Sequence, residues 1–169
     1  MPQTEEALPA APTRSTVAIG RHPLHPALVD FPIAFLSGAL AADLLFWRTG
    51  SAQWADLSFW LIAAGLASGL VAFLAGLVDF LTIARARQTR AGWLHFLFTD
   101  LALFLSTFNL VARLEDRPGA VLFAGLGYSL AVTLFLLLGG YTGGRLVFGH
   151  MIGVYGGLPG REQERERGA

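Results

Sequence analysis

Gly20-Arg-His-Pro-Leu-His-Pro-Ala-Leu-Val-Asp-Phe-Pro32 runs without a break into Ile33-Ala-Phe-Leu-Ser-Gly-Ala-Leu-Ala-Ala-Asp-Leu-Leu-Phe-Trp47. The first stretch is dense in groups able to do chemistry. The second is apolar over the length that crosses a bilayer as helix, about 20 residues. Proline fixes φ and pushes the residue before it out of the helical region. His22 and His25, each followed by proline, are therefore expected on extended or turn backbone, held on a stiff loop at the mouth of a membrane helix.

The composition of the whole chain agrees with that start. Hydrophobic residues make up 54% and charged residues 14%, with a mean hydropathy of +0.55; an ordinary soluble domain carries about 25% charged residues. The chain reads as a membrane protein whose first partner is the lipid bilayer. A formal net charge of +0, with no basic stripe, excludes bulk nucleic-acid binding. The absence of cysteine excludes disulfides, thiolate nucleophiles and cysteine-ligated zinc or iron–sulfur centres. Any bound metal falls to His, Asp or Glu.

Four apolar segments, at about residues 28–47, 56–84, 92–111 and 120–148, each reach spanning length. The linkers Arg48–Trp54, Arg85–Arg90 and Arg113–Gly119 are short, which makes sequential helices antiparallel neighbours. The expected fold is all-α, an integral membrane four-helix bundle over residues 20–155. Residues 1–19 are expected to form a disordered cytosolic lead and residues 156–169 a charged, disordered tail. Cytoplasmic segments retain positive charge. Arg14, Arg21, Arg85, Arg87, Arg90, Arg145, Arg161, Arg165 and Arg167 fall on one side, against Arg48, Arg113 and Arg117 on the other, so both termini are expected in the cytoplasm. Trp47, Trp54 and Trp60 mark the opposite face and Trp93 the cytoplasmic one, as an aromatic belt does. The echo of Ala42-Asp-Leu-Leu-Phe-Trp47 in Ala55-Asp-Leu-Ser-Phe-Trp60 is read as belt chemistry used twice, and no longer internal repeat is visible.

This orientation gathers every histidine of the chain at the cytoplasmic boundary. His22 and His25 precede the first helix, His95 lies one turn into the third and His150 follows the fourth; Asp30 and Asp79 join them from the first and second. Ionisable groups at membrane depth are costly and tend to have a partner or a task. For each residue taken singly, a solvated imidazole or a carboxylate serving a helix start is the plainer alternative. In the third segment His95, Thr99, Ala102, Ser106, Asn109 and Arg113 share one face, expected to look inward. In the second, Gly65, Ser68, Gly69, Ala72, Gly76 and Asp79 recur at the three- and four-residue steps that let membrane helices approach closely. Asp43 is expected to pair with Arg48 or Arg113.

The fourth segment closes in Gly139-Gly-Tyr-Thr-Gly-Gly-Arg-Leu-Val-Phe-Gly-His-Met-Ile-Gly-Val154, where repeated glycine loosens a helix. A His22-Pro-x-His25-Pro start leading into Phe31-Pro32, together with Gly143-Gly-x-Leu-Val-Phe148-x-His150 and Gly153-Val154 at the close, resembles the bacterial membrane family designated domain of unknown function 2231. The likeness covers Gly20 to Val154. Phe148 stands where tyrosine is expected, and Met151-Ile152 where Gly-Val is usual. The resemblance implies a four-helix protein of the bacterial inner membrane. Fusion of some relatives to Rieske-type iron–sulfur domains implies electron transfer, although this chain has no cysteine to build such a centre.

Three functional readings follow. In the first, His22, His25, His95 and His150 ligate a b-type haem or a divalent metal, with Arg21, Asp30, Asp79 and Arg145 around them, for electron transfer with a membrane or redox protein partner. The second is transport of a small solute or protons along the polar face of the third helix. The third is a structural or assembly subunit without a site of its own. Nucleophilic catalysis has no support, since no serine sits in an elbow or beside a base. The topology is tested by single cysteines introduced at Thr89 and Ser51: a membrane-impermeant thiol reagent is expected to reach the first only from the cytoplasmic side and the second only from the other. Labelling of both from one side rules the assignment out.

Overall fold

The computed structural model describes residues 12–154. The first eleven residues of the expected lead, and the expected tail over 156–169, lie outside the described residues. The chain enters through two-residue strands, β1 (Ala18–Ile19) and β2 (His22–Pro23), paired antiparallel about Gly20, whose φ of 62° is one that a side chain rarely adopts. It continues as α1 (Leu24–Leu28) and α2 (Asp30–Thr49). His22 is extended, as expected. His25 instead lies in the first turn of α1, where Pro26 has no preceding helical carbonyl to clash with. Gly50, in the left-handed region, ends α2 by donating its N–H to Phe46 O at 2.8 Å.

Next come α3 (Ala52–Thr82), α4 (Ala84–Arg87), α5 (Arg90–Ala112), α6 (Arg117–Ala120) and α7 (Leu126–Gly144), with π-helical turns over Val121–Gly125 and Arg145–Gly149. The Arg87 guanidinium donates to the carbonyls of Phe80 and Leu81, closing α3, and Thr89 caps α5 by accepting from Gly92 N at 3.0 Å. Four helical stretches are long and apolar enough to cross a membrane: Leu24–Thr49, Ala52–Thr82, Arg90–Ala112 and Arg117–Gly149. They match the four expected spans, with ends displaced by a few residues.

The helices meet on small residues. A Cβ at Gly65 would lie 2.6 Å from Leu36 Cδ2, and one at Gly69 would lie 2.6 Å from Leu103 Cδ2, so the small-residue face of α3 is a packing surface. Leu36, Ala39, Ile62, Leu66, Ala102 and Val132 fill the middle of the bundle, while Leu74 and other large apolar side chains face outward, where lipid solvates them. The inward face expected for α5 is observed: Ala102, Ser106, Asn109 and Arg113 are all buried.

Those buried positions expose a repeat. Pro32, Leu36, Ala39 and Asp43 on α2 correspond, at the 70-residue separation of Asp43 from Arg113, to Ala102, Ser106, Asn109 and Arg113. Leu24-His25-x-x-x-x-Asp30 and Leu94-His95-x-x-x-x-Asp100 stand at the same offset. On the partner helices, buried Ser58, Ile62, Gly65, Ala72 and Ala75 correspond at one constant offset to buried Gly125, Ser129, Val132, Gly139 and Thr142. At these positions the second pair of spans echoes the first, a longer repeat than the tryptophan echo.

At one end of the bundle the two halves are braced by a polar network. Arg113, expected in the linker after α5, is fully buried, as is Asp43. Arg113 donates from Nη1 and Nη2 to the two Asp43 oxygens, each at 2.8 Å. Its Nη1 also reaches Ser58 Oγ at 3.0 Å, and its Nε reaches Asn109 Oδ1 at 2.9 Å. Ser129 completes the set, donating to Asp43 Oδ2 at 2.6 Å and accepting from Asn109 Nδ2 at 2.9 Å. All four spans contribute, and no buried side-chain polar atom is unpartnered among the described residues. A buried charge left without its partner costs about 3–5 kcal/mol. Arg113→Met and Asp43→Leu are each expected to destabilise the detergent-solubilised protein by about that amount, and the double variant by less than their sum. Strict additivity in an unfolding titration contradicts the pairing.

Candidate functional site

The opposite end of the bundle holds a pair of imidazoles. His25 Nδ1 lies 2.8 Å from the carbonyl oxygen of Ala72, and His95 Nδ1 lies 2.8 Å from that of Gly139. A carbonyl only accepts, so in each ring Nδ1 carries a proton, and Nε2 is the ring nitrogen outside that bond. The ring centroids are 5.9 Å apart with planes at 87°.

Both anchors use one local device. The carbonyl of a helical residue is overhung by the side chain four residues on, because helical side chains lean toward the N-terminus. Four residues after Ala72 stands Gly76, and four after Gly139 stands Gly143. A Cβ at Gly76 would lie 2.7 Å from His25 Nδ1, and one at Gly143 would lie 3.0 Å from His95 Nδ1. Glycine therefore opens each carbonyl to a histidine from outside the helix. Ala72 and Gly139 are equivalent positions of the two halves, as are His25 and His95, so the site is one anchor built twice.

Both rings line a cavity of about 320 Å³. Its walls are apolar: Pro32, Leu36, Phe73, Phe96 and Leu103 carry much of the surface. Ser15, Pro23, Asp79, Ile152 and Gly153 stand at its edge. Asp79 is engaged there as an anchor for the entering chain. Its Oδ2 accepts from Ser15 Oγ at 2.6 Å, and its Oδ1 accepts from Thr16 N at 2.7 Å and Val17 N at 3.0 Å. Pro12–Ile19, the described part of the expected lead, thus runs against the bundle.

The remaining candidates from the sequence do not line this cavity. His22 sits exposed on β2 opposite Ile19, with Arg21 exposed beside it at the turn. Asp30 is exposed at the start of α2 and Arg145 is exposed in the last π turn. His150 is half-buried after that turn, its N–H donating to Arg145 O at 3.1 Å. Among the described residues, no group of three or more His, Asp or Glu side chains is placed to hold a metal ion. Sequence reasoning identified His25, His95 and Asp79 but overlooked the two carbonyls and their glycines. The signal was present in the Leu-His-x-x-x-x-Asp repeat and in glycine four residues after each anchor.

A bundle of four apolar helices, braced by a buried ion pair at one end and hollow between two imidazoles at the other, defines an integral membrane protein of the multi-pass helical class. The chain belongs to the family described as predicted membrane protein (DUF2231), which matches residues 21–156, from the arginine before His22 to just past the closing Gly153-Val154. No curated protein and no solved structure matches it.

The glycine anchors carry a direct test. Gly76→Ala and Gly143→Ala are expected to cost about 1–3 kcal/mol by overpacking against the rings, and to perturb the Nδ1-protonated tautomer seen in ¹⁵N spectra of the histidines. Gly140→Ala, where an added Cβ meets nothing within 4 Å, serves as the comparison and is expected to be neutral or stabilising by up to about 1 kcal/mol. Equal costs at the three positions reject the device.

Proposed function

We propose that this is a multi-pass protein of the bacterial inner membrane, with antiparallel helices and both termini cytoplasmic, whose paired His25 and His95 ligate a transition-metal cation for electron transfer. One observation carries this reading: two equivalent imidazoles, each with Nδ1 committed to a backbone carbonyl, share a cavity with Nε2 outside that bond. Imidazole fixed in this way by an outer hydrogen bond is the common form of a histidine ligand. The ring centroids, 5.9 Å apart, would bring both imidazoles within reach of one ion. Two protein ligands leave the other coordination positions open, which suits an ion that exchanges electrons or small ligands. The cavity of about 320 Å³ falls near the lower end of the roughly 300–1,000 Å³ of small-molecule sites, which leaves room for further small ligands beside an ion.

In a second form of the reading, His25 and His95 would together hold a haem b, whose iron would supply one-electron redox chemistry. Transport is less well supported: Leu36, Ala39, Ile62, Leu66, Ala102 and Val132 fill the bundle between the imidazoles and the Arg113 network. His22 and His150 belong to the outer surroundings of the site in this reading, where a redox or membrane protein partner would dock.

Metal analysis and absorption spectra of protein purified from metal- and haem-replete cells are the test. A bound ion, or the strong blue absorption band of a haem, is expected, and is expected to disappear in His25→Ala and in His95→Ala while Gly140→Ala retains it. A protein that is colourless and metal-free, and that takes up neither added zinc, copper nor haem, overturns the reading in favour of a structural subunit.

A further inference from the structure

The two halves correspond around the imidazoles, yet one feature of this end occurs once. Where the first half has Asp79, the offset relating Gly76 to Gly143 brings Leu146. Asp79 holds the strap of Thr13–Pro23, whereas the residues at the equivalent offset, 83–93, form α4 and the start of α5. We infer that this strap is the gate between the imidazole cavity and water, with the Asp79 carboxylate as its latch. The inference rests on the ligand reading above and names how that site is reached.

Three observations support it. The strap and the segment after α7 both form cavity wall, through Ser15 and Pro23 on one and Ile152 and Gly153 on the other. The two are joined to each other: Thr13 N donates to Met151 O at 2.8 Å, and Gly153 N donates to Thr13 O at 2.7 Å. Apart from Ile83 and Ala86 at the short link between α3 and α5, the rest of the cavity wall comes from the four spans and their helical ends, and opening it there means separating spans. The strap is held differently. Its own secondary structure is a hairpin of two-residue strands, far below what is stable alone. Asp79 takes three of its bonds, from Ser15 Oγ, Thr16 N and Val17 N; Thr16 Oγ1 and Thr82 Oγ1 meet 2.8 Å apart one turn further on, and Arg85 Nη1 donates to Thr13 Oγ1 at 3.3 Å. Elements with few apolar contacts and locally concentrated hydrogen bonds open first, well below the cost of global unfolding. Met151, on the segment the strap grips, is a non-glycine residue at positive φ, 52°, a conformation that release would relax.

The chain contains no cysteine, so one introduced thiol is a unique reporter. Thr99→Cys places it on the cavity wall. In that background, Asp79→Asn and Ser15→Ala are each expected to raise the rate of modification by a cationic, water-soluble methanethiosulfonate about tenfold, the equivalent of one lost hydrogen bond to a charged group. In parallel, the Thr16 and Val17 amides are expected to lose protection from hydrogen–deuterium exchange while the amides of α5 keep theirs. Loss of protection with unchanged modification means that the strap opens without admitting anything, and overturns the gate. Retained protection in both variants overturns Asp79 as the latch. If Asp79→Asn does not fold, Ser15→Ala carries the same comparison. Neither readout needs a bound metal, so a metal-free protein would defeat the ligand reading and leave the gate standing, whereas a failed gate leaves metal binding untouched.

Discussion

A guanidinium and a carboxylate, both shut away from solvent inside the bundle, set the terms for the rest of this molecule. Neither charge is tolerable alone in an apolar interior. Arg113 and Asp43 must therefore meet, and meeting fixes the ends of α2 and α5 against each other. Ser58, Asn109 and Ser129 then occupy the remaining donors and acceptors, which ties α3 and α7 into the same layer. Apolar packing in a membrane is permissive about register, because lipid is as apolar as leucine. The polar layer is not permissive. With it fixed, the opposite end of the bundle is also fixed, and the imidazoles are brought to 5.9 Å without any direct bond between them.

The two ends solve one problem in contrasting ways. At the Arg113 end, every buried side-chain polar atom among the described residues has a partner within the protein. At the histidine end, each ring gives one nitrogen to a carbonyl and keeps the other for the cavity. Saturation gives rigidity; half-saturation gives a site. The glycines make the second arrangement possible. Gly76 and Gly143 act by lacking a side chain where one would screen the carbonyl below. The glycine-rich close of the last helix, which looks in sequence like a loosened end, keeps its helical path and uses its gaps as sockets.

Much of the fold was legible in the sequence because hydrophobic length is a one-dimensional quantity. The four spans, the inward face of α5 and the small-residue face of α3 all follow from spacing along a single helix. What one helix does not reveal is its neighbour. All four histidines fall at the same boundary in the sequence, yet only His25 and His95 meet glycine-bared carbonyls, and those lie 47 and 44 residues away. Asp79 looked like a partner for an imidazole because of its depth. Its oxygens are instead taken by Ser15, Thr16 and Val17, from a stretch whose polar composition suggested no structure. The repeat escaped notice for a related reason: it preserves burial and a few chemically constrained positions, while lipid-facing residues are free to differ.

That repeat places Asp43 and Arg113 at equivalent positions, with opposite charge. Two copies of the first half joined through this face would confront carboxylate with carboxylate, and two copies of the second would confront guanidinium with guanidinium. Only unlike halves neutralise each other. Side chains at a single pair of positions thus disfavour the like-with-like pairing that the shared shape of the halves would otherwise allow, and the first half is left with the second as its electrostatic complement.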